Sequence, residues 1–274
     1  MASITINDVH GFAILVTELV EKVGKKFIRA NNAAAKNVTD LQIGGREIKL
    51  EADTMLEKEL IKGLSHTGIA ILSEETGFIL GKSLPQLLWV IDPLDGSYNF
   101  SRNLGPSMIS VALWDENEPV LGVLFNLVTK QMIFGGPQIG AHVGKNPVTV
   151  SDRKDRGQAT LVTGFPSRFP ISDAKAVASF AEILTSFGKV RMIGSACASL
   201  ALVATGSADV YAEHNIMFWD IAAGLAIVNG AGGTFELEGV NLSEGIFSEP
   251  CTVVASNNKF DVSVTMFDKM RGIA

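Results

Sequence analysis

Residues 89–100, WVIDPLDGSYNF, combine the end of an apolar run with a turn that carries two carboxylates. The run Leu87–Ile91 predicts a buried strand, and Pro93, which lacks a main-chain donor, predicts that the chain turns after Asp92. Asp95 follows on the same turn, and oxygen ligands that converge in this way are typical of sites for hard cations. An ordinary turn explains the stretch equally well, because Asp, Pro and Gly are common turn residues.

Paired acids follow a second predicted strand. Glu74 and Glu75 come after Ile69–Leu72, just as Asp92 comes after its own apolar run. We therefore expect two neighbouring strands that end at one rim of a sheet. A pair of solvated glutamates at a helix start is the alternative interpretation.

Two further acids lie near the starts of predicted helices. Asp220 falls in the first turn of Phe218–Asn229, and Asp53 begins the predicted helix Asp53–Leu64. Taken singly, each carboxylate is explained by its favourable interaction with the helix dipole.

Together these segments resemble the inositol monophosphatase family of magnesium-dependent, lithium-sensitive phosphatases. The sequence DPLDGS at 92–97 matches the family signature D-P-x-D-G-[S/T], and WDIAAG at 219–224 matches W-D-x-A-A-G. The paired acids and the pattern D-x-x-x-E at residues 53–57 also match, in the same order. The resemblance covers nearly the whole chain.

The resemblance implies an α/β (α+β) fold, a layered α-β-α-β-α sandwich of the inositol monophosphatase and fructose-1,6-bisphosphatase type. Residues 1–150 would form an N-terminal half that carries most metal ligands, and residues 151–274 a C-terminal half that completes the site. The charged stretch Ser151–Gln158 is the expected seam. Members of the family are often dimeric, so we expect a homodimer.

The resemblance also implies a site that binds two or three Mg²⁺ ions. Glu74, Asp92 and the carbonyl of Leu94 would bind the first ion, and Asp92, Asp95 and Asp220 the second. Glu74, Ser97 and Asp53 are the expected catalytic residues. The expected substrate-binding residues are Asp95, Gly96, Ser97, Gly194, Ser195, Ala196 and Glu213.

The sequence departs from the family pattern on the substrate side. Ser97 replaces the more usual threonine but keeps the hydroxyl, and Tyr98 is bulkier than the common small residue. Met217 stands where inositol-specific members often have histidine. Lys49-Leu50 replaces the usual V-T, which puts a third metal and lithium sensitivity in question.

We therefore expect hydrolysis of a small phosphomonoester, with myo-inositol 1-phosphate as the first candidate. Fructose 1,6-bisphosphate, histidinol phosphate and other sugar, polyol or heptose phosphates are the alternatives. A regulatory binding protein of the same fold is a hypothesis of a different class. A protein kept only for binding would have no chemical reason to retain all the acidic ligands.

Composition limits the classes of partner. The chain has 274 residues, of which 47% are hydrophobic, a mean hydropathy of +0.27 and a net charge of -6. A basic surface for direct nucleic-acid binding is not expected, nor is attraction to anionic lipid. We find neither a signal peptide nor a run long enough to span a membrane, so the expected location is cytoplasmic. Cys197 and Cys251 are expected to be buried free thiols.

The apolar pattern predicts the remaining elements. A helix is expected over Ile6–Lys26, a loop or flexible arm over Asn31–Glu47, and a final helix from about Lys259. Four strands after the central turn are expected to form an antiparallel meander, and strands and helices alternate in the second half. The expected strands are Met108–Trp114, Val120–Asn126, Gln131–Phe134, Ala141–Val143, Thr160–Thr163, Lys189–Met192, Asp209–Ala212, Gly233–Glu236 and Thr252–Ala255, and the expected helices are Asp173–Phe187 and Ala196–Thr205.

Overall fold

The computed structural model describes residues 4–30, 33–42, 47–165, 170–260 and 262–268. In chain order the helices are α1 (Ile6–Ala30), α2 (Glu51–Leu64), α3 (Ser97–Arg102), α4 (Ala174–Thr185), α5 (Ala196–Ala204) and α6 (Phe218–Gly230). The strands are β1 (Val38–Gln42), β2 (Glu47–Leu50), β3 (Ala70–Ser73), β4 (Gly77–Ile79), β5 (Leu87–Asp95), β6 (Met108–Asp115), β7 (Glu118–Asn126), β8 (Met132–Gly136), β9 (Gly140–Val143), β10 (Asn146–Val148), β11 (Thr160–Thr163), β12 (Lys189–Met192), β13 (Val210–Ile216), β14 (Thr234–Glu238) and β15 (Cys251–Ser256).

Two larger sheets organise the chain. An eight-stranded sheet has the order β10-β9-β8-β7-β6-β5-β3-β4. Its strands β6 to β9 form the predicted antiparallel meander, which the antiparallel neighbours β5 and β10 extend. A five-stranded sheet has the order β12-β11-β13-β15-β14, with β11 parallel to both neighbours. The predicted boundary at residue 150 lies between β10 and β11, and the division into two halves stays a prediction.

Strand β5 shows why the central run is apolar at every position. Trp89 and Ile91 pack in one core with residues of α1 and α2, while Leu88 and Val90 pack in another core with residues of α5 and α6. The strand is buried on both faces, so it has no polar face and no alternation. The predicted strand therefore lies at the centre of the fold.

The small sheet is covered on both faces as well. Tyr211 and Val253 face the core shared with α5 and α6, whereas Val210 and Val254 share a separate core with α4. The layers thus follow the order α1/α2, large sheet, α5/α6, small sheet, α4. This is the predicted α-β-α-β-α sandwich.

Several predicted boundaries are wrong. The strand does not end at Asp92 but continues as β5 to Asp95, with a shift in register between these residues, because a bulge accommodates Pro93. Helix α2 begins at Glu51, two residues before the predicted start. Strands β4 and β10 were not predicted; each is only three residues long.

The stretch predicted as a loop contains a short 3₁₀ helix, Ala33–Lys36, and the hairpin of β1 with β2. Gly44-Gly45, part of the same prediction, lies outside the described residues. The final helix predicted from Lys259 is not formed at its start; a 3₁₀ helix covers Val264–Phe267, and residues 269–274 lie outside the described part. Cys197 and Cys251 are buried free thiols, as predicted. Within the described residues, no helix is both long and apolar enough to cross a membrane.

Candidate functional site

The paired acids and the central turn meet at one rim of the large sheet. Strands β3 and β5 are parallel neighbours, with Ser73 opposite Ile91, so the next residues of both strands lie side by side. The main-chain N–H of Glu74 donates to the Ile91 carbonyl at 3.2 Å. Asp92 is 1% exposed, and its Oδ1 accepts from the Leu94 N–H at 2.9 Å. The predicted shared rim is confirmed.

Asp95 joins this rim to the start of α5. Its Oδ1 accepts from the Ala196 N–H at 3.0 Å, its Oδ2 from the Cys197 N–H at 3.2 Å, and the Ser195 hydroxyl also donates to it. The positive end of the helix dipole therefore stabilises the carboxylate. In this structure the first N–H groups of α5 thus bind a carboxylate of the chain itself.

Gly96 allows the close approach of the two segments. Its φ of 82° lies in the left-handed region, and an added Cβ would stand 3.1 Å from the Pro106 carbonyl and 3.2 Å from Ser195 Cβ. A side chain at this position would push the Asp95 turn away from α5.

Asp53 and Asp220 both occupy the third position of their helices. Asp53 Oδ2 accepts from the Leu50 N–H at 2.6 Å, and Asp220 Oδ2 accepts from the Met217 N–H at 3.2 Å. The helix-start interpretation of each acid is therefore correct. It does not exclude a role in the site, because each carboxylate has a second oxygen.

Ser97 links the central turn to α2. Its hydroxyl lies 2.9 Å from Asp53 Oδ1 and 2.8 Å from the Leu94 carbonyl, so it can donate to either acceptor. Two of the expected catalytic residues, Ser97 and Asp53, are therefore in direct contact.

These segments enclose a cavity of about 610 Å³. Of the predicted site residues, Asp53 does not line the cavity and reaches it through Ser97. The others all do: Glu74, Asp92, Leu94, Asp95, Gly96, Ser97, Gly194, Ser195, Ala196, Glu213 and Asp220. Tyr98 and Met217, two of the departures from the family pattern, line it too. The structure thus brings the predicted residues together, and their individual roles stay predictions.

Another cavity, of about 460 Å³, is lined by Phe27, Lys36, Phe100 and Leu104 among others. It contains no carboxylate among its lining residues, whereas the acids converge on the larger cavity. The larger cavity is therefore the candidate functional site.

Burial and the repulsion between neighbouring carboxylates raise the pKa values of these acids. Burial and the charge of Glu74 raise the pKa of Asp92 well above its usual value, and burial and the same charge do so for Asp220. Burial and the charge of Asp53 raise the pKa of Glu74 to about 8. Burial raises the pKa of Asp95 to about 6, although its hydrogen bonds act in the opposite direction. Without a cation, this cluster favours bound protons.

The donor set fits a divalent cation by its chemistry. Carboxylate and carbonyl oxygens are the ligands that Mg²⁺ prefers, and a cation would remove the repulsion that raises these pKa values. Among the described residues, however, no three carboxyl, imidazole or thiol groups are arranged closely enough to hold a metal ion as they stand. The acids instead accept hydrogen bonds from the main chain, so binding requires small side-chain adjustments.

Glu213 lines the same cavity as this cluster. It is 8% exposed, and its Oε2 accepts a hydrogen bond from the Tyr211 hydroxyl at 2.9 Å. Burial raises the pKa of Glu213 to about 7, with a contribution from the charge of Asp95. Gly164 makes room for the carboxylate, because an added Cβ there would overlap its oxygens.

Sequence reasoning missed Tyr211 and Gly164. The spacing of Tyr211 and Glu213 could have shown their contact, because residues two apart on a strand face the same side. Gly164 carried no such signal, because its partner is distant in sequence.

Comparisons with known proteins agree with this geometry. The model of the inositol monophosphatase family matches residues 9–261. The chain is 32% identical over 214 residues to Nus factor SuhB of Xylella fastidiosa, covering 76% of this chain and 77% of that protein. It is also 32% identical over 230 residues to an inositol-1-monophosphatase of Synechocystis, covering 81% and 77%.

A solved structure shows the same fold. The extragenic suppressor protein suhB from Bartonella henselae superposes with a TM-score of 0.78 at 25% identity, covering 96% of this chain and 98% of that one. The family match extends over both sheets and over every segment that lines the cavity. The chain belongs to the inositol monophosphatase family, a family of metal-dependent phosphatases.

Proposed function

We propose that this chain hydrolyses a small phosphomonoester with Mg²⁺, and that myo-inositol 1-phosphate is its first candidate substrate. The observation that carries the proposal is the convergence of Glu74, Asp92, Asp95 and Asp220 on one cavity. A dianionic phosphate would be repelled by these acids alone, so cations must accompany it.

In this proposal the predicted ligands would bind two or three Mg²⁺ ions. Glu74, Asp92 and the Leu94 carbonyl would hold one ion, and Asp92, Asp95 and Asp220 another. When bound, the ions would neutralise the phosphate and lower the pKa of a water molecule.

The protein side chains would position and deprotonate that water. Glu74 would accept its proton, and its position among the residues that line the cavity with Asp92 supports this role. The Ser97 hydroxyl, directed by Asp53, would fix the orientation of the water. Glu213, which lines the same cavity, would accept hydrogen bonds from substrate hydroxyls.

A sugar, polyol or amino-alcohol phosphate other than inositol phosphate is the alternative within this class. Tyr98 and Met217 line the cavity, and both depart from the pattern of inositol-specific members. Fructose 1,6-bisphosphate, histidinol phosphate and a heptose phosphate therefore belong in the same test.

A regulatory binding role is the second candidate, and the name of the Xylella relative, Nus factor SuhB, favours testing it. The net charge of -6 argues against direct contact with nucleic acid, so a protein partner is the simpler expectation. A homodimer and lithium sensitivity stay predictions from the family resemblance, and a cytoplasmic location stays a prediction from the sequence.

The experiment is phosphate release with Mg²⁺ across a panel of phosphomonoesters, with Asp95→Asn beside the wild type and the exposed Asp152→Asn as control. We expect one compound to be turned over far above the rest, and about a hundredfold or greater loss in Asp95→Asn. No turnover by folded protein that binds Mg²⁺ would contradict the proposal and favour the binding role.

A further inference from the structure

Lys49 of β2 brings a positive charge to the acidic cavity. Among the described residues that line this cavity, it is the only basic one. Its Nζ lies 2.7 Å from Glu75 Oε2, and both side chains are largely buried, at 29% and 14% exposure. A pair this well shielded is screened less by salt than a surface pair.

Glu75 needs this cation. Its other oxygen, Oε1, is buried and has no hydrogen-bond partner among the described residues. Glu75 also adjoins Glu74, a predicted metal ligand. Removing the ammonium would leave a buried carboxylate without compensation, which is strongly unfavourable.

The surroundings keep Lys49 charged. Burial acts to lower the pKa of Lys49, but the pairing with Glu75 and the charges of Glu74 and Asp53 outweigh it and hold the pKa above its usual value. The ammonium is therefore a permanent charge at neutral pH. It is attached to a hairpin, because β2 pairs with β1 and Lys49 stands opposite Asp40.

We propose that the Lys49 ammonium takes the place of one divalent cation beside Glu74 and Glu75, so that the site binds two exchangeable cations instead of three. The inference rests on the proposed function and adds to it how many cations this chain needs. The proposal also explains why a lysine at position 49, in the pair that replaces the usual V-T, would change the number of bound cations.

The test counts Mn²⁺ bound per chain, by equilibrium dialysis with the free ion measured by electron paramagnetic resonance. We expect two ions in the wild type and three in Lys49→Met. Lys49→Gln, which can still donate a hydrogen bond to Glu75, should also bind three and protects the test against misfolding of Lys49→Met. Lys49→Arg keeps the charge and should bind two, as should the control Lys82→Met, which removes an exposed lysine.

Lys82→Met changes the net charge as much as Lys49→Met but outside the residues that line the cavity, so it separates a refilled site from a general rise in negative charge. A double variant tests whether the third ion needs the Glu75 carboxylate. Lys49→Met with Glu75→Gln removes both members of the pair, so the count should return to two. Three ions in the wild type, or equal counts in the wild type and in folded Lys49→Met or Lys49→Gln, would overturn the role of Lys49 and leave the proposed function standing. No Mn²⁺ in any protein would overturn the proposed function together with this inference.

Discussion

Thr76 donates two hydrogen bonds to the carboxylate of Glu57, close in sequence to the predicted metal ligand Glu74. The Thr76 N–H donates to Glu57 Oε1 at 2.9 Å, and the Thr76 hydroxyl donates to Oε2 at 2.7 Å. The Ser73 hydroxyl also donates to Oε1. Because Ser73 and Thr76 flank the Glu74-Glu75 turn, one buried carboxylate of α2 fixes the whole turn.

We therefore predict that Glu57→Gln loosens this turn. The amide can accept through one oxygen only, so its NH₂ group would face the Thr76 hydroxyl, which would have to turn from donor to acceptor. The expected loss is about 1–3 kcal/mol in the free energy of unfolding, together with weaker Mn²⁺ binding. Urea denaturation and Mn²⁺ titration would measure the two effects.

Glu59→Gln is the matched control for this change. Glu59 lies on the same helix and pairs with Lys26 at 3.1 Å on the surface. Its loss should change the free energy of unfolding by less than about 1 kcal/mol and leave Mn²⁺ binding unchanged. Similar effects from the two substitutions would contradict the role given to Glu57.

The arrangement of the acids was predictable because strand ends are visible in the sequence. The apolar runs before Glu74 and Asp92 identify two buried strands, and parallel neighbours end at the same rim. The course of the chain after Asp92 was not predictable from Pro93. The strand resumes as far as Asp95, where it pairs with Met108, and this pairing depends on a distant segment.

The β1–β2 hairpin shows a second limit. The segment Val38–Gln42 is polar and has no apolar alternation, so its sequence does not favour a strand. It forms one because β2 offers main-chain partners, including the pairing of Val38 with Leu50. The contact of Lys49 with Glu75 depends on this hairpin, which is why the sequence did not reveal it.

Asn99 provides a prediction about the contact between α3 and the segment that precedes α5. It is 7% exposed, and its Nδ2 donates to the carbonyls of Ile193, Pro106 and Gly194 at 2.9, 3.0 and 3.2 Å. Asn99→Asp would place a buried carboxylate against these carbonyls and lower the free energy of unfolding by about 3 kcal/mol or more. Urea denaturation would measure the loss.

Protonation should partly rescue Asn99→Asp, because the neutral carboxylic acid can donate one hydrogen bond. The loss relative to wild type should therefore shrink as the pH falls. Asn146→Asp, at an exposed position of β10, is the control and should cost less than about 0.5 kcal/mol. A loss that does not change with pH would contradict this account of Asn99.

Gly164→Ala tests the role of Glu213. The added methyl group would overlap the Glu213 carboxylate, which is the far end of a flexible side chain, so the protein should fold and the carboxylate should move. We expect KM for the preferred phosphomonoester to rise about tenfold, equivalent to about 1.4 kcal/mol, with kcat changed much less. Steady-state kinetics would separate the two constants.

Gly11→Ala is the matched glycine control. Gly11 lies at an exposed position of α1, and an added Cβ there meets nothing within 4 Å. Alanine should stabilise the helix by about 0.5–1 kcal/mol and leave KM unchanged. An unchanged KM in Gly164→Ala would remove Glu213 from the substrate contacts.

The raised pKa values predict how pH affects the metal-free protein. Burial is the first cause for each of Asp53, Asp95 and Glu213, whose pKa values are raised to about 6, about 6 and about 7. Carboxyls in an unfolded chain titrate near pH ~4, so above that value the folded protein holds protons that the unfolded chain releases. Their contribution to stability is full below about pH 4 and is lost as the pH rises through 6 to 8.

In EDTA, the melting temperature should therefore fall by on the order of 5 °C between pH 5 and pH 8. Saturating Mg²⁺ should abolish most of this fall, because a cation stabilises the ionised carboxylates that protons otherwise neutralise. Glu213→Gln removes one titrating group and should reduce the slope in EDTA near pH 7. A melting temperature that rises through this range without metal would show that the acids are ionised and compensated from within the chain.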